Sequence, residues 1–192
     1  MLVNILLIDD DEELCKQIKE LLDGQTIGDH TIGLKYLNSF EQGLEAICKE
    51  EFDLIILDLF KGKPEEKNTD RPGETVLEEI KKSCFVPVIF FTGLVKPVEH
   101  LKSDIVRIVR KGDGLDSLRG EINDVFSSKL LFLKQQLNGY TREVMRSYFW
   151  DFIHPNWKML ENIKDEVSLG LLVVRRLAIS LSKEKIAGIL GD

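Results

Sequence analysis

Four apolar residues, Ile5 to Ile8, run directly into five acids, Asp9 to Glu13. The Val3–Ile8 segment predicts a strand buried on both faces. Behind it, Glu12–Leu22 carries Leu14, Ile18, Leu21 and Leu22 at helical spacing, and Gly24 stops the helix. Thr31–Leu37 alternates and predicts a strand. Ser39 to Gln42 is a capping-box pattern that opens a helix through Ile47. Asp53–Leu57 predicts another buried strand, ending in Asp58. Residues 61–72, "KGKPEEKNTDRP", are polar and predict a long loop. Glu74–Lys82 predicts a helix with Val76, Leu77 and Ile80 inward. Val86–Phe91 predicts a strand ending in Thr92-Gly93, with a short helical stretch around Val98–Ser103. Ile105–Val109 predicts the fifth strand, then comes Lys111, and Leu115 opens a further helix.

Five strand-then-helix units with buried strands predict a doubly wound α/β domain around a five-stranded parallel sheet. In such sheets the functional crevice lies at the carboxyl ends of the strands. Four strands deliver a chemically capable side chain there: Asp9, Asp10 and Asp11 from the first, Asp58 from the third, Thr92 from the fourth and Lys111 from the fifth. Asp11 reads best as a helix N-cap. Carboxylates packed in one crevice favour a hard divalent cation such as Mg²⁺, which prefers oxygen ligands and offsets their repulsion.

Beyond residue 115 the pattern becomes helical. Leu118, Ile122, Val125, Phe126, Leu130, Leu133 and Leu137 keep helical spacing and predict one long helix up to Asn138-Gly139. Thr141–Ile153 predicts a second helix closed by His154-Pro155, and Trp157–Leu181 a third with a heptad-like seam. Ser182 predicts the cap of a short last helix, through Leu190. The segment "YFWDFIHPNW", residues 148–157, is too aromatic to stay exposed and predicts packing on the first domain, on the other tail helices or on another chain. The domains expected are therefore 1–126 and a helical extension 127–192, with dimerisation through the extension set against an intramolecular bundle.

Charge sharpens this division. Residues 1–126 hold 26 acids against 16 Lys/Arg, a net of −10, whereas residues 127–192 hold 7 against 10, a net of +3. The acidic first part disfavours nucleic acid as a direct partner. No apolar stretch is long enough to span a bilayer, and no signal-peptide pattern opens the chain. Three widely spaced cysteines, Cys15, Cys48 and Cys84, form neither a zinc pattern nor a disulfide framework, so a cytoplasmic location is expected.

The acidic pair in "LLIDD", the Asp in "LIILDL", the Thr in "VIFFTG" and the Lys in "IVRK", each at a strand end, resemble the receiver domain of bacterial response regulators over roughly residues 2–126. The resemblance implies a flavodoxin-like fold and a two-component phosphorelay in which Asp58 accepts a phosphoryl group from a sensor histidine kinase or His phosphotransfer protein. It implies that Asp10 and Asp58 ligate Mg²⁺ directly, Asp9 through water, with the backbone carbonyl of Phe60 added. Thr92 would hydrogen-bond a phosphoryl oxygen and Lys111 would supply positive charge. Such a domain promotes its own phosphorylation and dephosphorylation and is no other enzyme.

The sequence departs from that pattern in four places. Fifteen positions separate Asp58 from the helix-entry Gly73, an insertion relative to the family's usual spacing. The Thr92 to Lys111 interval is short, so the fourth helix is expected to be clipped. Ile108 stands where the family often carries an aromatic switch residue, and Gly112 replaces the frequent proline after the lysine. Two other classes remain. A phosphorylation-independent interaction module would use the same body and the helical tail. A haloacid-dehalogenase-like phosphatase would use Asp9-x-Asp11, Thr92 and Lys111 but leaves Asp58 without a role. His154, in a predicted turn, reads as a turn or packing residue and not a phosphotransfer histidine. "LSKEKIAGILGD" resembles the first helix of a helix-turn-helix module, with no recognition helix after it in the sequence given.

Overall fold

The structure, a computed structural model, describes residues 1–62, 70–160 and 175. The chain divides into two compact units, Met1–Leu131 and Phe132–Asp192. The first contains, in order, β1 (Leu2–Ile8), α1 (Glu12–Leu22), β2 (Thr26–Ile27), β3 (His30–Leu37), α2 (Phe40–Lys49), β4 (Leu54–Leu57), α3 (Pro72–Ser83), β5 (Val88–Thr92), β6 (Val106–Arg110) and α4 (Leu115–Ser127). The sheet runs β2-β3-β1-β4-β5-β6. The pairs β1–β3, β1–β4, β4–β5 and β5–β6 are parallel, while β2 is antiparallel to β3. The expected five-stranded parallel sheet is thus corrected to a six-stranded mixed one. The extra strand is two residues long, and Gly28, at φ +57°, turns the chain back along it. So short a strand offers no alternation to read.

Two apolar layers explain the continuous hydrophobic runs. Ile5, Leu7, Ile56, Ile89 and Phe91 point to one face of the sheet, where Ile18 of α1 and Leu118, Ile122 and Val125 of α4 cover them. Leu6, Ile8, Leu57, Val88 and Phe90 point to the other, under Ile47 of α2 and Val76, Leu77 and Ile80 of α3. Successive side chains leave opposite faces of a strand, so a strand covered on both sides must be apolar throughout. Between β5 and β6 the expected short helix is a single 3₁₀ turn, Glu99–Leu101, anchored by buried Val98.

The predicted long helix breaks at Ser128, whose backbone is extended (φ −77°, ψ 149°) and whose hydroxyl donates to the carbonyl of Val125. Serine hydroxyls compete in this way with the helical ladder. α5 (Lys129–Ser147) then continues through Asn138-Gly139, where a stop was predicted. It passes into a π-helical turn, Tyr148–Ile153, in which the His154 amide donates to the Phe149 carbonyl at 2.8 Å. The turn closes before Pro155, which has no amide to extend it. α6 (Trp157–Leu160) is described to Leu160. The predicted seam of the third helix and the last short helix otherwise lie outside the described residues. In the second unit Tyr148 stacks on Phe152, whereas Phe149, Trp150 and Trp157 are about half exposed. No helix among the described residues is long and apolar enough to cross a membrane.

Candidate functional site

The carboxyl ends of β1, β4, β5 and β6 meet in one crevice. The ladder places Asp58 there: its amide donates to the carbonyl of Ile8 at 2.9 Å, which sets the ends of β4 and β1 level. Asp9 is 1% exposed and Asp58 5%. Carboxylate oxygens of Asp9, Asp10 and Asp58 all lie within 4.8 Å of one another. Lys111, immediately after β6, holds its Nζ 2.7 Å from Oδ2 of both Asp9 and Asp58. It donates a hydrogen bond to Asp58 Oδ2, and Leu59 N–H donates to Asp58 Oδ1 at 2.6 Å. Asp9 Oδ2 pairs with the same ammonium. Asp9 Oδ1 accepts from the Asp11 amide at 3.0 Å.

Asp10 faces the loop after β4, where the Gly62 amide donates to its Oδ2 at 2.7 Å. Gly62 takes φ +75°, a region side chains disfavour. Asp11 does not join the cluster. It caps α1, accepting from the Leu14 amide at 3.0 Å. Thr92 ends β5 fully buried, with its Oγ1 lacking any partner among the described residues. Phe60 is buried two residues past Asp58, and Ile108 is half-buried against the α2–α3 face of the core.

Burial and, second, the charge of Asp58 push the Asp9 carboxyl up to about 6, against the pull of Lys111. For Lys111 burial acts downward, but the charges of Asp58 and Asp9 outweigh it and raise the ammonium above its ordinary value. Cys15, whose Sγ–H donates to the Asp9 carbonyl at 3.4 Å, is pushed up to about 12 by burial and by Asp9, so it is no nucleophile. Three carboxylates against one ammonium leave the crevice an excess of negative charge. An all-oxygen set of three clustered carboxylates with an excess of negative charge fits a hard divalent cation such as Mg²⁺.

Neither a family model nor a curated relative matches the sequence. Solved structures do match. The response regulator TrrA of Thermotoga maritima, in complex with Mg²⁺ and BeF, is 25% identical over 64% of this chain and 98% of its own, with a TM-score of 0.50. The non-phosphorylated HemR receiver domain of Leptospira biflexa is 22% identical over 66% and 95%, at 0.53. A two-component response regulator of Clostridium difficile is 20% identical over 65% and 95%, at 0.52.

The first unit has the receiver-domain fold. Within this receiver fold the sequence reading placed Asp9, Asp10, Asp58, Thr92 and Lys111 at strand ends, and the structure clusters the three acids and sets Lys111 against Asp9 and Asp58. Two features of the receiver site escaped it. The Asn38 side chain donates to the Asp9 carbonyl at 3.3 Å, steadying the end of β1. Gly73, in the first turn of α3, stands against the Asp58 backbone, and its amide donates to the Leu59 carbonyl at 3.2 Å. An "RPGE" stretch signals a helix start, but nothing local says what the helix start will touch.

Proposed function

We propose that the chain is a phosphoacceptor response regulator in which Asp58 is the residue modified. The observation that carries this is the Asp58 carboxylate, held between the Leu59 amide and the Lys111 ammonium with Asp9 and Asp10 within 4.8 Å. An Asp58 oxygen attacks the phosphorus of a phosphohistidine on a histidine kinase or phosphotransfer protein. The P–N bond breaks, its electron pair stays on the imidazole, and the new bond is an Asp58 acyl phosphate. Asp9, Asp10, Asp58 and the Phe60 carbonyl would hold Mg²⁺, which when bound neutralises charge on the phosphoryl oxygens. Lys111 offers a cation to the same oxygens. Thr92 Oγ1, buried and without a partner among the described residues, offers a donor that an arriving phosphoryl oxygen would satisfy.

In this reading the catalysis is limited to the domain's own phosphorylation and dephosphorylation. Residues 127–192 form the output, through dimerisation or partner docking, and the three free cysteines suit a reducing cytoplasm. The half-exposed Phe149, Trp150 and Trp157 support an interaction role for that region. Intact-protein mass after incubation with acetyl phosphate tests the reading. A phosphoryl adduct that needs both Mg²⁺ and Asp58, and is lost in Asp58→Asn, is the expected result. A second reading, a phosphorylation-independent interaction module, draws on half-buried Ile108 and on the single 3₁₀ turn between β5 and β6. Absence of the adduct, with a known receiver labelled in parallel, would favour it.

A further inference from the structure

Beside the acidic crevice lies a cleft of about 320 Å³ lined by Arg71, Leu94, Lys96 and Pro97. Two independent tethers place it there. Arg71 stands two residues before Gly73, which is pressed against the Asp58 backbone. Leu94 stands two residues after Thr92, the last residue of the strand whose Phe90 pairs with Leu57, the neighbour of Asp58. Among the described residues that line it, two are cations, in a unit whose charge is otherwise strongly acidic.

Their hydrogen-bonding capacity is open. Arg71 Nη1 engages Glu74 at 3.1 Å, but Arg71 Nε is buried without a partner among the described residues. A guanidinium can grip carboxylate or phosphate oxygens in pairs, and the edge that carries Nε is one of those that do so. Lys96 is exposed, and no ion pair engages it among the described residues. Lys111, by contrast, is already committed to Asp9 and Asp58. Leu94 and Pro97 give the cleft an apolar wall, which strengthens a charge contact made inside it.

We propose that Arg71 and Lys96 form an anion subsite for the part of the phosphodonor that is not transferred: a carboxylate or phosphate on the incoming molecule, held so that its phosphoryl group faces Asp58. The proposal rests on Asp58 being the phosphoacceptor. The anion can come from an acidic side chain of a protein donor or from a second charged group on a small one. Arg71 and Lys96 are positioning residues, since neither touches the reacting atoms.

Two measurements separate this subsite from the phosphoacceptor role beneath it. The first needs no phosphorylation. Sodium sulfate is titrated into the full chain without Mg²⁺, against sodium chloride at matched ionic strength, and backbone amide NMR shifts are tracked. Saturable shifts at Arg71 and Leu94–Lys96 that vanish in an Arg71→Gln/Lys96→Gln variant are expected; unsaturable or unaltered shifts overturn the subsite. The second compares phosphorylation rates with acetyl phosphate and with an acyl phosphate whose chain ends in a second phosphate. The double variant should lose about five- to tenfold with the second donor and keep its rate with acetyl phosphate. Equal losses with both donors, or none, overturn the positioning role. A protein phosphodonor forms the third arm: a loss there, beyond that with acetyl phosphate, assigns the anion to the partner's acidic side chain. If the wild type labels with no donor, the phosphoacceptor reading fails and the positioning role falls with it, whatever sulfate does.

Discussion

Gly73 stands where a Cβ would lie 2.2 Å from the carbonyl oxygen of Asp58. The first turn of α3 is therefore seated directly on the backbone of the proposed phosphoacceptor. Neither partner has a flexible end that can yield, since the contact is backbone on both sides. Gly73→Ala is expected to destabilise the first unit by roughly 1–3 kcal/mol, despite the better helix propensity of alanine. Urea unfolding monitored by circular dichroism checks this. A stability equal to wild type would mean that α3 does not approach Asp58 so closely.

Asp11 separates capping from metal binding. Its side chain bonds the Leu14 amide, and only its backbone amide reaches Asp9. Asp11→Ala should cost about 0.5–2 kcal/mol of stability and leave Mg²⁺ affinity within about twofold. Asp10→Asn should do the reverse, with little loss of stability and much weaker Mg²⁺ binding. Calorimetric titration beside urea unfolding distinguishes the two.

Mg²⁺ itself should stabilise the fold by mass action. At a concentration ten times its dissociation constant the gain is about 1.4 kcal/mol, read as a rise in Tm that a chelator reverses. The rise should be absent in Asp58→Asn. A metal-independent Tm in the wild type would count against the carboxylate cluster as a cation site.

The raised Asp9 carboxyl gives a pH signature in the metal-free protein. Its pKa is about 6 in the fold against 3.8 in the unfolded chain. Between those values the folded state binds more protons, so Asp9's contribution is fully present below about 4 and is lost as pH rises through 6. The loss is on the order of 3 kcal/mol. In chelator, wild type should lose more stability between pH 4 and 7 than Asp9→Asn. Parallel pH profiles of the two proteins would contradict the burial of Asp9 beside Asp58.

The sequence carried most of the first unit because its signals are local and repeated. Asp11 and Ser39 mark α1 and α2 by side-chain caps that need only the next three residues, and both cap as read. The runs Ile5–Ile8 and Leu54–Leu57 had to be apolar at every position because both sheet faces are covered. Where local signals misled, a neighbouring contact had decided. Ser128 breaks the predicted long helix, and buried Leu131 joins the core just beyond it. Gly139 costs a helix about 1 kcal/mol, which α5 tolerates within 19 residues.

Sequence alone determined which residues stand at the strand ends, because the period of a strand and the position of its last apolar residue fix which polar side chains enter the crevice. The tertiary structure decided the rest. That Lys111 bridges Asp9 and Asp58, that Gly62 turns to bond Asp10, and that Arg71 and Lys96 share one cleft all depend on segments more than twenty residues apart in the chain. Such distances are set by how helices pack across a twisted sheet, and no local pattern of polar and apolar residues encodes them.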